Sequence, residues 1–175
     1  MQLVIYPEPI LQKRAPALKL IDDSVRERVQ AMFQLMYREN GVGLAAPQVG
    51  WSARLFVLNP LGAESPEGEM VFINPRVVEA DGEDIDEEGC LSIPEVRGNV
   101  ERNESVSFEC QDLSGELVRR ELEGLAARVA QHEYDHLDGI LFIKRLSPAE
   151  WLKVKTAVKR LEKEYRKKQQ EGARR

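Results

Sequence analysis

The residues of this chain best suited to chemistry are two histidines four positions apart with a glutamate between them. His132, Glu133 and His136 form this His-Glu-x-x-His pattern, and the chain has no other histidine. A single histidine on a helix is usually an ordinary surface or core residue. On one helix, however, residues four apart share a face about 6 Å from each other, so both imidazoles can bind one metal ion. The glutamate then stands where an activated water needs a base, and the pattern predicts hydrolytic chemistry.

A metal held by two histidines needs a third protein ligand, and its identity determines the class of hydrolase. Metzincins carry a further histidine six residues after the second one, but that position is Phe142 here. Thermolysin-like enzymes take a glutamate from a later helix. The available glutamates, Glu150, Glu162 and Glu164, fall on a predicted amphipathic terminal helix, where a ligand would conflict with the buried apolar stripe. Neither arrangement fits this chain.

The two cysteines of the chain lie in different surroundings. Cys110 alternates with Val106 and Phe108, as in a strand with one buried face, so we expect a small buried side chain there. Cys90 follows Gly89 and precedes Pro94, as in a loop that leaves a strand, and it belongs to no apolar stripe. Its thiolate would complete a Cys-His-His site with one position open for water. Nothing in the sequence argues for a disulfide between the two cysteines.

Length and composition limit the class of protein. A chain of 175 residues with 42% hydrophobic and 31% charged residues is typical of a single domain with a sizeable core. The N-terminus has no basic leader, and no apolar run approaches the roughly 18 residues of a membrane span. We therefore expect a cytoplasmic protein with no membrane partner.

Charge is distributed unevenly along the chain. Residues 151–175 hold ten Lys or Arg against three Glu, a net charge of +7, so the chain total of −5 leaves −12 for residues 1–150. Such a basic end is either a solvated helix face or a docking site for a polyanion such as ribosomal RNA. No feature indicates recognition of specific DNA.

The first helix and the strands can be predicted from caps and periodicity. Ser24 and Glu27 have the spacing of a capping box, and the apolar stripe that follows predicts a helix ending at Asn40–Gly41. The stripe consists of Val25, Val29, Met32, Phe33 and Met36. The predicted β regions are Arg54–Asn59, Met70–Glu79, Val100–Cys110 and Glu116–Leu122.

The remaining helices are the metal-binding helix and a terminal helix. Gly124 begins the former, and Ser147, Pro148 and Glu150 form the start of the latter, whose apolar stripe runs to Tyr165. We therefore predict a single-domain α+β fold in which antiparallel or mixed β-sheets pack around the central metal-binding helix, with an N-terminal helix and a C-terminal amphipathic helix. Its parts would be a catalytic domain over residues 1–146, a basic helix over 147–168 packed on that domain, and a disordered tail over 169–175.

Residues 41–50 are mostly small and include three glycines. A phosphate-binding loop is one interpretation, but the Lys-Ser/Thr of a P-loop and the Gly-x-Gly-x-x-Gly spacing are absent. A plain turn is another. Small residues also allow a backbone to approach a ligand closely, and Gln48 is the single side chain of this segment that can donate hydrogen bonds to one.

Three segments together resemble the motifs of the peptide deformylase family, in the family's order and at similar spacing. They are Gly41–Gln48, Glu88–Ser92 and Gln131–His136, which read GVGLAAPQ, EGCLS and QHEYDH. The resemblance covers most of residues 1–146. The basic terminal helix is similar to that of the bacterial type, in which this helix contacts the ribosome near the nascent-chain exit. The resemblance implies an enzyme that removes the formyl group from the N-terminal formylmethionine of new polypeptides.

The same resemblance implies roles for individual residues. The metal ligands would be Cys90, His132 and His136. Glu133 would take a proton from the attacking water and pass it to the leaving amine. The side-chain amide of Gln48 and the backbone N–H of Leu91 would donate hydrogen bonds to the oxyanion. Glu88 and Arg97, as surface charges, would contact the peptide near its N-terminus.

The substrate peptide would, by resemblance, lie extended against the backbone of Gly43 and Leu44 as an added strand. Its methionine side chain would enter an apolar pocket beside the metal-binding helix. Val129 and Arg128 precede His132 by three and four residues on the metal-bearing face, so they can line that pocket. We expect Arg128 to lay its stem along the wall without burying its charge.

The sequence does not decide the identity of the metal, and it allows two competing functions. A thiolate ligand is compatible with zinc or ferrous iron. Because members of the resembled family use Fe²⁺, we expect Fe²⁺ natively, with Zn²⁺, Ni²⁺ or Co²⁺ as alternatives in purified protein. One competing function is a zinc endopeptidase of another His-Glu-x-x-His family, which the missing third histidine disfavours. The other is a structural metal site in a ribosome-associated binding module, which would need four protein ligands and leave Glu133 without a role.

Overall fold

Two antiparallel sheets and three α-helices build the fold within residues 1–172, the part of the chain that the computed structural model describes. The helices are α1 (Asp23–Arg38), α2 (Gly124–Leu137) and α3 (Pro148–Gly172). The strands are β1 (Gly43–Ala45), β2 (Leu55–Leu58), β3 (Met70–Asp81), β4 (Asp84–Cys90), β5 (Ile93–Arg102), β6 (Ser105–Gln111) and β7 (Leu117–Glu123). One sheet has the order β1-β2-β3-β6-β7, and β4 pairs with β5 in the other. The predicted α+β fold is confirmed.

Helix α2 packs on the larger sheet through small residues. Ala127 and Ala130 are fully buried in one cluster with the rings of Phe56, Phe72 and Phe108. The Phe56 and Phe72 centroids lie 4.5 Å apart, and Phe108 meets Phe72 edge-on at 5.7 Å. Large aromatic surfaces removed from water are the strongest contributors to a core. The helix that carries the His-Glu-x-x-His pattern is therefore held against a core cluster rich in aromatic side chains.

Helix α1 has the predicted apolar stripe but a different cap. All five residues of the stripe are buried. The N-cap is Asp22, whose carboxylate accepts a hydrogen bond from the Val25 backbone N–H at 3.1 Å. Ser24 donates its hydroxyl to the same carboxylate at 2.6 Å. The predicted Ser24–Glu27 capping box is wrong because the Asp22 carboxylate, two residues earlier, takes the capping position.

The second sheet differs most from the sequence-based prediction. The predicted β region Val100–Cys110 belongs to two strands, β5 and β6, which end and begin on either side of residues 103–104. Strand β4 was not predicted, because aspartate and glutamate dominate it and both are disfavoured in strands. Its register with β5 is continuous from Asp84 to Gly89, and a shift follows before Cys90. This hairpin delivers Cys90 to the site.

Helix α3 begins where its cap predicts and ends later than expected. The Ser147 hydroxyl accepts a hydrogen bond from the Glu150 backbone N–H at 3.2 Å. Val154 and Val158 are buried in one cluster with Val96 and Val100 of β5. The helix continues to Gly172, so residues 169–172 of the predicted disordered tail are helical; Gln and Glu, which dominate this stretch, are good helix formers. Residues 173–175 lie outside the described part. None of the helices within residues 1–172 is long and apolar enough to cross a membrane.

Candidate metal centre and its cleft

Three predicted metal ligands from two elements converge at one point. Cys90 ends β4, and His132 and His136 project from the same face of α2. One ligand atom of each lies within 4.8 Å of the others, and Cys90 Sγ is 3.3 Å from His136 Nε2. The i and i+4 spacing brings the two imidazoles together, whereas the β4–β5 hairpin supplies the sulfur from more than 40 residues away.

The ring of His132 is oriented by a carboxylate. Its Nδ1 lies 2.9 Å from Glu88 Oε2. Because an ionised carboxylate can only accept hydrogen bonds, Nδ1 carries the proton and Nε2 is left as a ligand atom. Burial would raise the pKa of Glu88, but hydrogen bonds from His132 and Arg102 outweigh it and lower this pKa to about 2. Glu88 therefore stays ionised and holds the ring.

The donor set fits a divalent metal ion. Burial lowers the pKa of His136 well below its usual value and keeps its imidazole neutral. Burial would also lower the pKa of His132, but hydrogen bonds with Cys90 and Glu88 outweigh it and raise this pKa, so a metal ion would displace a proton from its Nε2. The Nε2 of His136 faces the sulfur, while its buried Nδ1 has no hydrogen-bond partner among the described residues. One sulfur and two imidazole nitrogens make a three-ligand site of the catalytic kind, with a fourth position left for water or substrate.

Glu133 lies in the wall of the cleft next to these ligands. Its side chain is 4% exposed, and its Oε2 is buried without a hydrogen-bond partner within residues 1–172. Burial raises the pKa of Glu133 to about 7. A carboxyl group with this pKa can both accept and release a proton near neutral pH, which is what a general base needs if it later acts as an acid.

Gln48 presents its amide to the sulfur with a defined orientation. The Ala45 backbone N–H donates to Gln48 Oε1 at 2.8 Å. The Nε2 group consequently points the other way, toward Cys90 Sγ at 3.5 Å and the Ser92 hydroxyl at 3.3 Å. Leu91 directly follows Cys90 and lines the same cleft. Both predicted oxyanion donors thus lie beside the metal ligands.

A cleft of about 310 Å³ opens onto this centre. Its walls come from the segment around β1, the β4–β5 hairpin and α2, and they include Gly43, Val129, Leu125 and Arg97. Strand β1 lies at the edge of its sheet and pairs only with β2 among the described strands. Leu44 points into the core with 0% exposure and does not line the cleft, so of the two predicted strand contacts only Gly43 lies in its wall. The cleft therefore combines an open strand edge with an apolar recess.

Arg128 lies at the predicted place, but its charge is buried, contrary to our expectation. The residue is 5% exposed. Its guanidinium donates to Glu88 Oε1 and the Val100 carbonyl at 2.9 Å each, and to the Asp84 carboxylate at 2.9 Å. Two carboxylates and backbone carbonyls engage both terminal nitrogens, which compensates the burial of the charge, while its buried Nε has no hydrogen-bond partner among the described residues. Arg128 therefore ties α2 to both strands of the hairpin.

The predicted surface position of Glu88 is also wrong. Glu88 is 5% exposed, and both of its oxygens are already engaged by Arg102, Arg128 and His132. Its acidic neighbours in the sequence suggested a solvent-exposed position, but the buried side chains of Arg102, Arg128 and His132 converge on it. Arg97 remains at the rim, where it lies 3.5 Å from Glu87 with 69% of its side chain exposed.

Sequence reasoning missed Arg102 and Asp135. Arg102 donates two hydrogen bonds to Glu88, at 2.9 and 3.0 Å, and one to Asp135 at 2.6 Å, and it is 7% exposed. A signal was available, because Arg102 continues the inward-facing positions of β5 that Val96, Gly98 and Val100 occupy. An arginine at an inward position requires a buried carboxylate partner.

Comparisons with known proteins agree with this geometry. A family model described as Polypeptide deformylase matches residues 1–151. The peptide deformylase of Thermotoga sp. (strain RQ2) is 45% identical over 149 residues, which cover 85% of this chain and 88% of that protein. The chloroplastic peptide deformylase 1B of Oryza sativa subsp. japonica is 42% identical over 166 residues, which cover 94% of this chain but 62% of that protein.

Solved structures give the same result at the level of the fold. The peptide deformylase from Plasmodium falciparum superposes with a TM-score of 0.91 at 39% identity, covering 94% of this chain and 97% of that chain. The Thermotoga maritima enzyme superposes with a TM-score of 0.78 at 42% identity, covering 84% of this chain and 97% of that chain. With a family model over most of its length and relatives above 40% identity, this chain belongs to the peptide deformylase family of enzymes.

Proposed function

We propose that this protein is a metal-dependent hydrolase that removes the formyl group from the N-terminal formylmethionine of nascent polypeptides. The observation that carries the proposal is the convergence of Cys90, His132 and His136, whose ligand atoms lie within 4.8 Å of one another at the end of a cleft. Membership in the peptide deformylase family supports the choice of substrate.

Cys90, His132 and His136 would hold one divalent ion. Such an ion lowers the pKa of a bound water and polarises the substrate carbonyl when it is present. We expect Fe²⁺ natively, and a sulfur with two imidazole donors also accepts Zn²⁺, Ni²⁺ or Co²⁺.

Glu133 is the proton-transfer group of the proposed reaction. It takes the proton of the attacking water and then donates it to the amine that leaves as the formamide bond breaks. Its pKa of about 7, raised by burial, makes both steps accessible near neutral pH. The unpartnered Oε2 is the atom available to receive the proton.

Gln48 and Leu91 stabilise the oxyanion that forms at the formyl oxygen. The bond from Ala45 to Gln48 Oε1 fixes the direction of the amide donors before substrate arrives. The backbone N–H of Leu91, next to Cys90, is the second donor. Donors that need no reorganisation stabilise developing charge most effectively.

The peptide binds as an added strand along the edge of β1, where the backbone of Gly43 lines the cleft. Its methionine side chain enters the recess lined by Val129, under which the ion-paired Arg128 forms part of the wall. Arg97 contacts the peptide at the rim. Glu88 lines the same cleft, but its oxygens are occupied, so it contributes mainly by holding His132.

Gly43→Ala should reduce turnover more than stability. A Cβ at this position would lie 2.6 Å from Glu133 Oε1 and 2.6 Å from Val129 Cγ1, so the Glu133 carboxylate must move. A misplacement of about 1 Å at a catalytic group costs about 100-fold in rate. We expect that loss in kcat, measured with a formyl-methionyl peptide, together with a small change in Tm.

Gly98→Ala is the matched control for this substitution. Its Cβ would lie 2.8 Å from Leu146 Cδ2, also the end of a flexible side chain, but outside the cleft. We expect a similar change in Tm with near-normal kcat. Equal losses of kcat in the two variants would contradict the proposed position of Glu133.

Metal analysis combined with a turnover assay tests the proposed function. Protein purified without oxygen should contain about one divalent ion per chain and release formate from formyl-Met-Ala-Ser. Unformylated Met-Ala-Ser should remain intact. Cleavage of internal peptide bonds would favour a zinc endopeptidase, and bound metal without hydrolysis of either peptide would favour a structural metal site.

We also propose that the reaction takes place in the cytoplasm, with the enzyme docked on the ribosome near the nascent-chain exit through α3. Lys159, Lys163 and Arg166 are exposed and recur at the spacing of one helix face. The buried Val154 and Val158 lie on a different face, so docking does not compete with packing. A row of cations opposite ribosomal RNA gives attraction that weakens as salt increases.

Charge reversal of Lys159, Lys163 and Arg166 to glutamate should weaken ribosome binding, with little change in turnover of a short formyl peptide. Sedimentation with ribosomes at increasing salt should show lower affinity and a shallower salt dependence than in the parent. Reversal of Lys13, Lys19 and Lys144, which are also exposed, changes the net charge equally and should leave ribosome binding intact. Equal losses in both triple variants would exclude α3 as the docking site.

A further inference from the structure

A series of ion pairs leads from the proposed metal ligand His132 to Arg145, which follows α2 in the chain. Glu88 accepts from His132 Nδ1 at 2.9 Å, and Arg102 donates to both Glu88 oxygens. The third donor of the Arg102 guanidinium reaches Asp135 Oδ2 at 2.6 Å. Arg145 closes the series, since it donates to Asp135 Oδ1 at 2.6 Å and to Oδ2 at 3.0 Å.

Asp135 is the group through which Arg145 can act on the rest of the series. The carboxylate is 7% exposed and bound by two guanidinium groups, one of them in the two-point geometry that fixes the carboxylate plane. The guanidinium group of Arg102 is planar and rigid, so the direction of its bond to Asp135 determines the direction of its two bonds to Glu88. The orientation of Glu88 in turn fixes the His132 ring.

The surroundings of Asp135 make Arg145 necessary for this arrangement. A cavity of about 360 Å³ lies beside the pair, lined by Arg102, Asp135, Arg145 and Gln131 among others. Without the Arg145 guanidinium, the carboxylate would have room to rotate and water could compete for its oxygens. Its bond to Arg102 would weaken, and the Arg102 guanidinium that binds Glu88 would no longer have a fixed orientation.

Backbone hydrogen bonds already close the turn after α2, so the ion pair is not needed for that purpose. The Asp135 carbonyl accepts from the N–H groups of Asp138 and Ile140, each at 2.9 Å. The Arg145 side chain is 46% exposed, and ion pairs that open to solvent usually contribute little to stability.

We propose that Arg145 is a positioning residue for the metal site and that it orients His132 through Asp135, Arg102 and Glu88. The inference rests on the proposed function, because it assumes that His132 binds a metal ion. Residues that orient metal ligands from outside the coordination sphere typically change metal affinity by about 10- to 100-fold. Arg145 is several contacts away, so we expect an effect at the lower end of that range.

Titration with Co²⁺ tests the proposal without using enzyme activity. In Arg145→Ala the dissociation constant for Co²⁺ should rise about tenfold, and the visible absorption of the bound ion should change because it reports ligand geometry. Arg145→Lys keeps the charge but cannot bind both carboxylate oxygens, and should restore part of the affinity. Arg14→Ala is the control, because Arg14 pairs with Asp138 at 3.3 Å and lies outside the series.

A double variant distinguishes positioning from simple anchoring of the chain. If Arg145 acts through Glu88, then adding Arg145→Ala to Glu88→Gln should cause little further loss of Co²⁺ affinity. Unchanged affinity in Arg145→Ala would overturn the proposal, as would additive losses in the double variant. A drop in thermal stability with intact affinity would assign Arg145 an anchoring role and would also overturn it. Failure of the parent protein to bind Co²⁺ would instead overturn the proposed metal site, and this inference with it.

Discussion

Glu133→Ala is expected to lower kcat for a formyl-methionyl peptide by about two to four orders of magnitude, while the protein keeps its metal. Proton transfer by a positioned carboxylate contributes a rate factor of this size. The nearby carboxylate of Glu88 cannot replace it, since Glu88 is ionised and bound by Arg102, Arg128 and His132. Steady-state turnover and metal content should be measured on the same preparation.

Two further variants make this result specific. Glu133→Gln preserves the shape of the side chain but cannot accept the proton, so it should be as inactive as the alanine variant. Glu101→Ala removes an exposed carboxylate of β5 outside the cleft and should leave kcat near the parent value. Near-normal turnover by Glu133→Gln would show that another group takes the proton, and the proposed mechanism would fail.

Cys90→Ala should lose stoichiometric metal and, with it, activity. The remaining His132 and His136 leave two ligands, fewer than the three protein ligands that catalytic zinc-type sites use. An ion that binds the folded state stabilises it. Addition of a chelator should therefore lower the Tm of the parent protein but leave the Tm of Cys90→Ala unchanged. Metal analysis and thermal melts with and without chelator are the measurements.

The second cysteine is the natural control for this experiment. Cys110 is 1% exposed within the Phe108 cluster, where burial raises the pKa of its thiol and keeps it neutral. Cys110→Ala removes one buried atom, which costs on the order of 1 kcal/mol of stability, and activity should be nearly unchanged. Loss of metal in Cys110→Ala with retention in Cys90→Ala would mean that the wrong thiol has been assigned to the site.

Much of the site was predictable because its signals are local. The spacing of His132 and His136 places two imidazoles on one face of any helix, wherever that helix lies. Periodicity likewise predicted the stripes of α1 and α3, and the cap at Ser147 was correct. Cys90 was predicted as the third ligand by contrast with Cys110, whose alternation with apolar residues marked it as buried.

The surroundings of the ligands depended on contacts that no local pattern records. By itself the sequence determined the family resemblance, and it predicted which helix carries the chemistry, which residues can hold a metal ion and which carboxylate can move a proton. Only the tertiary structure decided that the acidic segment Asp84–Cys90 forms a strand and that Glu88 and Arg128 bury their charges. The physical reason is that an acidic strand and a buried carboxylate are unfavourable alone. They become stable when Arg102 and Arg128 reach them from distant parts of the chain, and such pairing is a property of the assembled fold.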